Sequence, residues 1–197
     1  IWTGFILVSR IGGISELSAY DVIAVRYITC AGILLPIWLF VYPFRLFRPK
    51  LIMTALVGGL AYALFTFKGF QLAPASHAAI LLPGLMPFFI IILSTLGVGG
   101  LFAQSWSAQG TYIQGDLCLL AGSFFWGLFS VLIKRWQISP WEATVSLAII
   151  TSLIYLPIYV LFLPITLSVD LWSDIAVQAF YQGFLATIVQ MIFYVRA

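Results

Sequence analysis

Apolar runs of membrane-crossing length follow one another along nearly the whole chain, at 1–14, 20–43, 51–72, 77–103, 116–133, 141–164 and 175–195. A helix that crosses the hydrocarbon core needs ~20 mostly apolar residues, because no water is there to satisfy an exposed backbone. Most of these runs are apolar all round, unlike the one-sided pattern of a soluble helix. Composition agrees: 63% of the 197 residues are hydrophobic and 8% are charged, against ~45–50% and ~25% in a soluble domain. Disorder is excluded by the same hydrophobicity. Cys30 and Cys118 both lie inside apolar runs, so no disulfide framework is expected. None of the runs has the basic leader of a cleavable signal. The net charge of +3 gives no reason to expect a nucleic-acid partner.

The placement of charge sets the orientation. Basic residues cluster at Arg45, Arg48 and Lys50, at Lys134 and Arg135, and at Arg196. Acidic residues take the opposite ends, at Glu16 and Asp21, Asp116, Asp170 and Asp174, with Glu142 the exception. The positive-inside rule puts the basic loops in the cytoplasm, which demands an even number of crossings between Lys50 and Lys134. The runs 51–72 and 116–133 supply two crossings, so 77–103 must also cross an even number of times. Its length is too short for two crossings of ~20 residues. About half a span is therefore expected to be missing near Ser94–Gly97.

The chain also repeats itself. Ser18-Ala-Tyr-Asp21, Leu35-Pro36-Ile37-Trp38 and Pro43 return 121 residues later as Ser139-Pro-Trp-Glu142, Leu156-Pro157-Ile158-Tyr159 and Pro164. Upstream, the stretch from Trp2 to Arg10 resembles that from Trp126 to Arg135; downstream, the surroundings of Gly59 resemble those of Gly183. An odd number of spans per repeat inverts the second copy, giving a pseudo-two-fold axis in the membrane plane and a central site. Five spans per repeat satisfy both the repeat and the charge parity. The expected fold is an all-α polytopic membrane protein of inverted five-helix repeats. The first repeat would occupy 1–104, with spans one to four and part of five; the second would occupy 115–197, with spans six to eight. Span five is then incomplete and the second repeat truncated, about seven and a half spans of a ten-span design.

A further set of motifs keeps a fixed order: Trp2, Arg26-Tyr27, Leu72-Ala-Pro-Ala-Ser-His77, Leu82-Pro-Gly-Leu-Met-Pro87, Gly115-Asp116, Ser123-Phe-Phe-Trp126 and Gln178-Ala-Phe-Tyr-Gln-Gly183. In that order and spacing the chain resembles the drug/metabolite transporter superfamily, in its ten-helix EamA-type branch. The resemblance implies a secondary transporter in a bacterial inner (plasma) membrane, exporting small polar metabolites or amino acids by alternating access. Two features depart from the pattern. The family usually has an acidic residue just after helix four, where this chain has Ser94-Thr-Leu-Gly97, and helices nine and ten have no counterpart.

Several residues are candidates for a substrate pathway. Gln178, Gln182, Gln190 and Tyr194 step by fours along the last run, and amides facing lipid would be unsatisfied. They should therefore face a neighbouring helix as glue or a wet cavity as ligands. Pro83 and Pro87 remove donors from span four and free carbonyls near Ala79 and Pro83, as in the broken helices of transporters or in a plain packing kink. Pro36 and Pro157 hold matching places in the two repeats and could bend rocking elements. Ala55, Gly59 and Ala63, like Ser123 and Gly127, have the small-residue spacing of close helix contacts. Arg26 and Lys68 are the charges in apolar context. They either snorkel to the outer interface or form a cationic pocket suited to a carboxylate or another anionic group. His77, the one histidine, could titrate in the physiological range or anchor a helix start. Trp126 joins these candidates through its motif. No Asp or Glu is expected deep in a span, which leaves no carboxylate proton relay and favours facilitated export.

No phosphate loop of the G-x-x-x-x-G-K kind is present, which argues against an ATP-driven pump. There is no G-x-S-x-G, and Ser76 and His77 would point apart on a helix. The sequence therefore leads to a non-enzyme without cofactor or metal. Its partners are the lipid bilayer and a small-molecule substrate, with a homodimer permitted. The rival reading is a non-transporting structural membrane subunit or a truncated inactive copy.

Overall fold

The computed structural model describes residues 2–14, 16–96, 113–190 and 193. Among these residues there is helix and no strand. Six helices are α1 (Trp2–Ile14), α2 (Ala19–Phe40), α3 (Pro49–Leu72), α4 (Ala75–Leu96), α5 (Ile113–Trp136) and α6 (Pro140–Phe162). The seventh, α7, opens at Trp172–Gln178 and continues as a wide-turn π stretch, Ala179–Val189. A similar π stretch, Ala55–Ala61, interrupts α3. Helices α2, α3, α5 and α6 are each long and apolar enough to cross a membrane. The protein is an all-α polytopic membrane protein.

Local sequence sets the helix boundaries. Ser18 and Ser139 open α2 and α6 with capping boxes, each reciprocated by the acid three residues on, Asp21 and Glu142. Each box satisfies first-turn N–H groups that would otherwise be stranded near the membrane surface. Pro49 and Pro140 stand in the first turn of α3 and α6, where the missing N–H is harmless. The guanidinium of Arg10 donates to the carbonyl of Phe70 at 2.5 Å, putting a cation on the C-terminal end of α3. Pro36, Pro83, Pro87 and Pro157 all lie within continuous helices and are exposed or half-exposed on the outside of the bundle.

Helix directions follow from the contacts. Helix α2 starts where α6 ends: the Tyr155 hydroxyl donates to the Tyr20 carbonyl, and Trp141 donates to the Tyr42 carbonyl at the other end. Helices α3 and α5 are antiparallel neighbours, with Gly58 against Phe129, Gly122 against Thr66 and Gly115 against Ala73. Phe5 and Arg10 of α1 meet Phe67 and Phe70 near the end of α3, whereas Gln178 at the start of α7 reaches back to Val8. The sequence-matched pairs α1/α5, α2/α6 and α3/α7 thus each run in opposite directions.

Residues 75–96 form the single helix α4. Of the stretch Ser94–Gly97, where half a span is expected to be missing, residues 94–96 continue this helix and Gly97 lies outside the described residues. Helices α4 and α5 lie side by side and point the same way, with His77 meeting Asp116 and Phe89 packing on Phe124. Ser123 fastens this pair through its hydroxyl to the Leu81 carbonyl at 2.7 Å. Parallel neighbours begin at the same face, so Leu96 and Ile113 lie at opposite ends of the bundle, in keeping with the charge parity. Glu16, Asp21, Asp116 and Asp170 share one end of the bundle, and Arg45, Arg48, Lys50, Lys134 and Arg135 share the other.

The small residues sit where helices approach most closely. Ala55, Ala63 and Ser123 are fully buried, and Gly59 and Gly127 are buried with them. Helix α2 lies between the two π stretches and bonds to both. The Tyr27 hydroxyl donates to the Gly59 carbonyl at 2.9 Å, and the Cys30 thiol donates to the Gly183 carbonyl at 3.0 Å. Wide turns leave carbonyls off the regular ladder, and these two side chains take them up.

Candidate functional site

A small cavity lies in the middle of the bundle. Its walls come from Phe5 of α1, Arg26 of α2, Tyr62 of α3, Trp126 of α5, and Ala186 and Gln190 of α7. Five helices thus contribute, and they include members of both halves of the sequence repeat. The cavity measures about 10 Å³, enough for about one water.

Arg26 dominates its chemistry. The residue is 3% exposed, so it does not snorkel, contrary to the first expectation from sequence. Nearly two turns of α2 separate it from Ala19, and α1, α3, α5 and α7 close around it. Its Nε and Nη1 atoms have no hydrogen-bond partner among the described residues. The guanidinium carbon instead lies 5.7 Å from the Phe67 ring centre and 5.9 Å from those of Phe5 and Tyr27. Ring faces attract a cation but provide no hydrogen-bond acceptor. Across the cavity, Tyr62 and Trp126 pack with their rings 4.7 Å apart, and the buried Gln190 Oε1 also has no partner among the described residues.

Of the residues singled out from sequence, the structure gathers Arg26, Trp126 and Gln190 around this cavity. Gln178 and Gln182 face α1 instead. Gln178 donates to the Val8 carbonyl at 2.9 Å and Gln182 to the Ser9 hydroxyl at 2.7 Å. Lys68 is half-buried on the α5 side of α3, near Cys118, so the two-cation pocket of Arg26 and Lys68 does not form. His77 lies at the acidic end of the bundle, with Nδ1 2.8 Å from Asp116. Pro83 and Pro87 point outward from an unbroken helix. Tyr194 lies outside the described residues.

Sequence reasoning missed the aromatic walls Phe5 and Tyr62, which composition hides among 17 phenylalanines and nine tyrosines. It also missed a polar knot between α2 and α6. Asp21 is fully buried and accepts from Ser18, from the hydroxyls of Tyr159 and Thr166, and from the Thr166 N–H at 3.3 Å. Asp21 stands in the first turn of α2, at the acidic end of the bundle, and not deep in the span. Only the return of α6 and the following loop covers it.

A family model, the EamA-like transporter family, matches residues 1–100. The chain belongs to the EamA-like transporter family. The bundle just described is therefore that of an EamA-like transporter, and Arg26, Tyr62 and Phe5 all fall within the matched half. Among curated proteins, none matches the chain. One solved crystal structure has the same fold, with a TM-score of 0.66 and 19% identity, covering 99% of this chain and 78% of its own. At that identity the likeness is one of fold alone.

Proposed function

We propose that this EamA-like protein is a secondary transporter that exports small polar metabolites or amino acids across a bacterial inner membrane. The observation that carries this reading is the Arg26 cavity, walled by both halves of the repeat between helices whose matched partners run antiparallel. Antiparallel matched helices are what inverted repeats at 1–104 and 115–197 require. A site on their interface is where rocking of one repeat against the other alternates access. In the present arrangement the two halves are fastened at both ends. The Asp21–Tyr159 contact closes the acidic end, and Arg48 pairs with Glu142 at 2.5 Å on the basic end. Alternating access requires these fastenings to open one at a time.

Efflux from vesicles that hold the purified protein and a preloaded panel of amino acids and small carboxylates tests the reading. Accelerated efflux of a subset, saturating with concentration, is the expected result. Leakage equal to that of protein-free vesicles across the panel would overturn it in favour of a non-transporting membrane subunit. Repeating the assay with the proton gradient collapsed separates facilitation, in which rates persist, from proton coupling.

A further inference from the structure

We infer that Arg26 is the anchor for a carboxylate, and that the cavity takes small monoanionic carboxylates with an apolar body. This inference deepens the transporter reading and rests on it for the purpose of the site, but its physical basis is separate. A guanidinium is permanently charged and carries five N–H donors in a planar fork. Arg26 keeps that charge inside the bundle with no hydrogen bond to its buried Nε and Nη1 among the described residues. The ion pairs among those residues are Arg48–Glu142 and His77–Asp116, and neither involves Arg26.

Buried charges are as a rule paired, because an uncompensated ion in a low-dielectric interior is strongly disfavoured. The acid nearest in sequence, Asp21, is already occupied by Ser18, Tyr159 and Thr166. About one water fits the cavity, and a water brings no negative charge. A carboxylate supplies both the charge and two acceptors matched to the fork.

The number of cations selects the ligand's charge. Lys68 lies off the cavity, and Arg10 is engaged at the end of α3. One guanidinium balances one negative charge, which favours a monocarboxylate over a phosphate dianion. The rings of Phe5, Tyr62 and Trp126 offer an apolar wall, and the Gln190 amide a single polar contact. Because the closed cavity is so small, the ligand enters only when the helices around it part.

The experiment compares isosteres that differ in charge. Binding of benzoate and butyrate, and of the neutral benzamide and butyramide, is measured by titration calorimetry on the purified full chain in detergent. At least one carboxylate is expected to bind about ten-fold or more tightly than its amide, as a charge-assisted pair should. Arg26→Gln should erase that preference, and Arg26→Lys should keep part of it. Equal binding of each acid and its amide, or a preference that survives in Arg26→Gln, would overturn the inference. If Arg26→Gln does not fold, the contrast in the unaltered protein decides. Carboxylate binding without efflux from vesicles would keep the anchor and remove the transporter reading. Efflux with no preference for carboxylates over amides would do the reverse.

Discussion

The Tyr159 hydroxyl donates a hydrogen bond to the buried Asp21 carboxylate, tying the last turns of α6 to the first turn of α2. In the sequence repeat Asp21 corresponds to Glu142, and both close a capping box. Their surroundings differ completely. Asp21 is sealed and accepts from three other residues, whereas Glu142 meets Arg48 at an exposed edge, with side-chain exposures of 21% and 50%.

The two acids should therefore respond differently to removal. Asp21→Ala strands several donors, and hydrogen bonds to a charged group contribute about 1.5–3 kcal/mol each. A loss of about 3 kcal/mol or more is expected on that scale. Glu142→Ala breaks a solvent-screened pair and one cap, and should cost no more than about 1 kcal/mol. Thermal unfolding of both variants in one detergent checks the order; equal shifts would contradict it.

Gly183 faces Thr29 so closely that an added Cβ would lie 2.5 Å from the Thr29 Cβ. Gly183→Ala is expected to destabilise by about 1–3 kcal/mol through overpacking and to loosen the Cys30 contact to the Gly183 carbonyl. Gly32, on the same helix as Thr29, has open space within 4 Å of where a Cβ would stand. Gly32→Ala should be neutral or stabilising by up to about 1 kcal/mol. Melting temperatures of the two variants are the measurement, and a reversed order would rule out the packing argument.

Gln182 and Gln190 are separated by environment rather than residue type. Gln182→Ala cuts the link to Ser9, so folded protein and efflux should fall together. Gln190 lines the cavity without a partner for its Oε1 among the described residues, so Gln190→Ala should reduce binding or efflux more than it reduces folded yield. Size-exclusion yield measured beside efflux, variant by variant, distinguishes the two. A parallel fall for Gln190→Ala would make it structural as well.

The ends of the bundle can be assigned to membrane faces. In a background lacking Cys30 and Cys118, Phe47→Cys and Gln137→Cys place thiols at the basic end, and Ser168→Cys and Asp170→Cys place them at the acidic end. Phe47, Gln137 and Asp170 are exposed, and Ser168 lies in the loop before α7. The positive-inside rule predicts that a membrane-impermeant maleimide labels 168 and 170 on intact cells and 47 and 137 only after lysis. Labelling of both sets from outside would break the topology.

Much of the fold was legible because hydrophobicity and charge placement are local properties. The apolar runs that open at 20 and 141 mark the starts of α2 and α6 to within one residue of Ala19 and Pro140, while the capping boxes at Ser18 and Ser139, which fix those starts, emerged only with the structure. The small residues at Ala55, Gly59 and Ser123 marked contacts because only small side chains let helices approach. The candidate site was legible only in part. Arg26 stood out as a charge in apolar sequence, but Lys68 looked its equal, and spacing alone did not tell which way each faced.

The sequence by itself determined that this is a membrane bundle, where its helices begin, which end is basic, and that its second half echoes the first. These follow from the cost of exposing backbone or charge to lipid, which any arrangement of the chain would have to meet. Tertiary structure alone decided which polar groups are satisfied. It gave Asp21 its donors from α6 and the following loop, placed Gln182 on Ser9, and left the Arg26 guanidinium among aromatic rings. Satisfaction depends on neighbours more than a hundred residues away, and no local pattern encodes them.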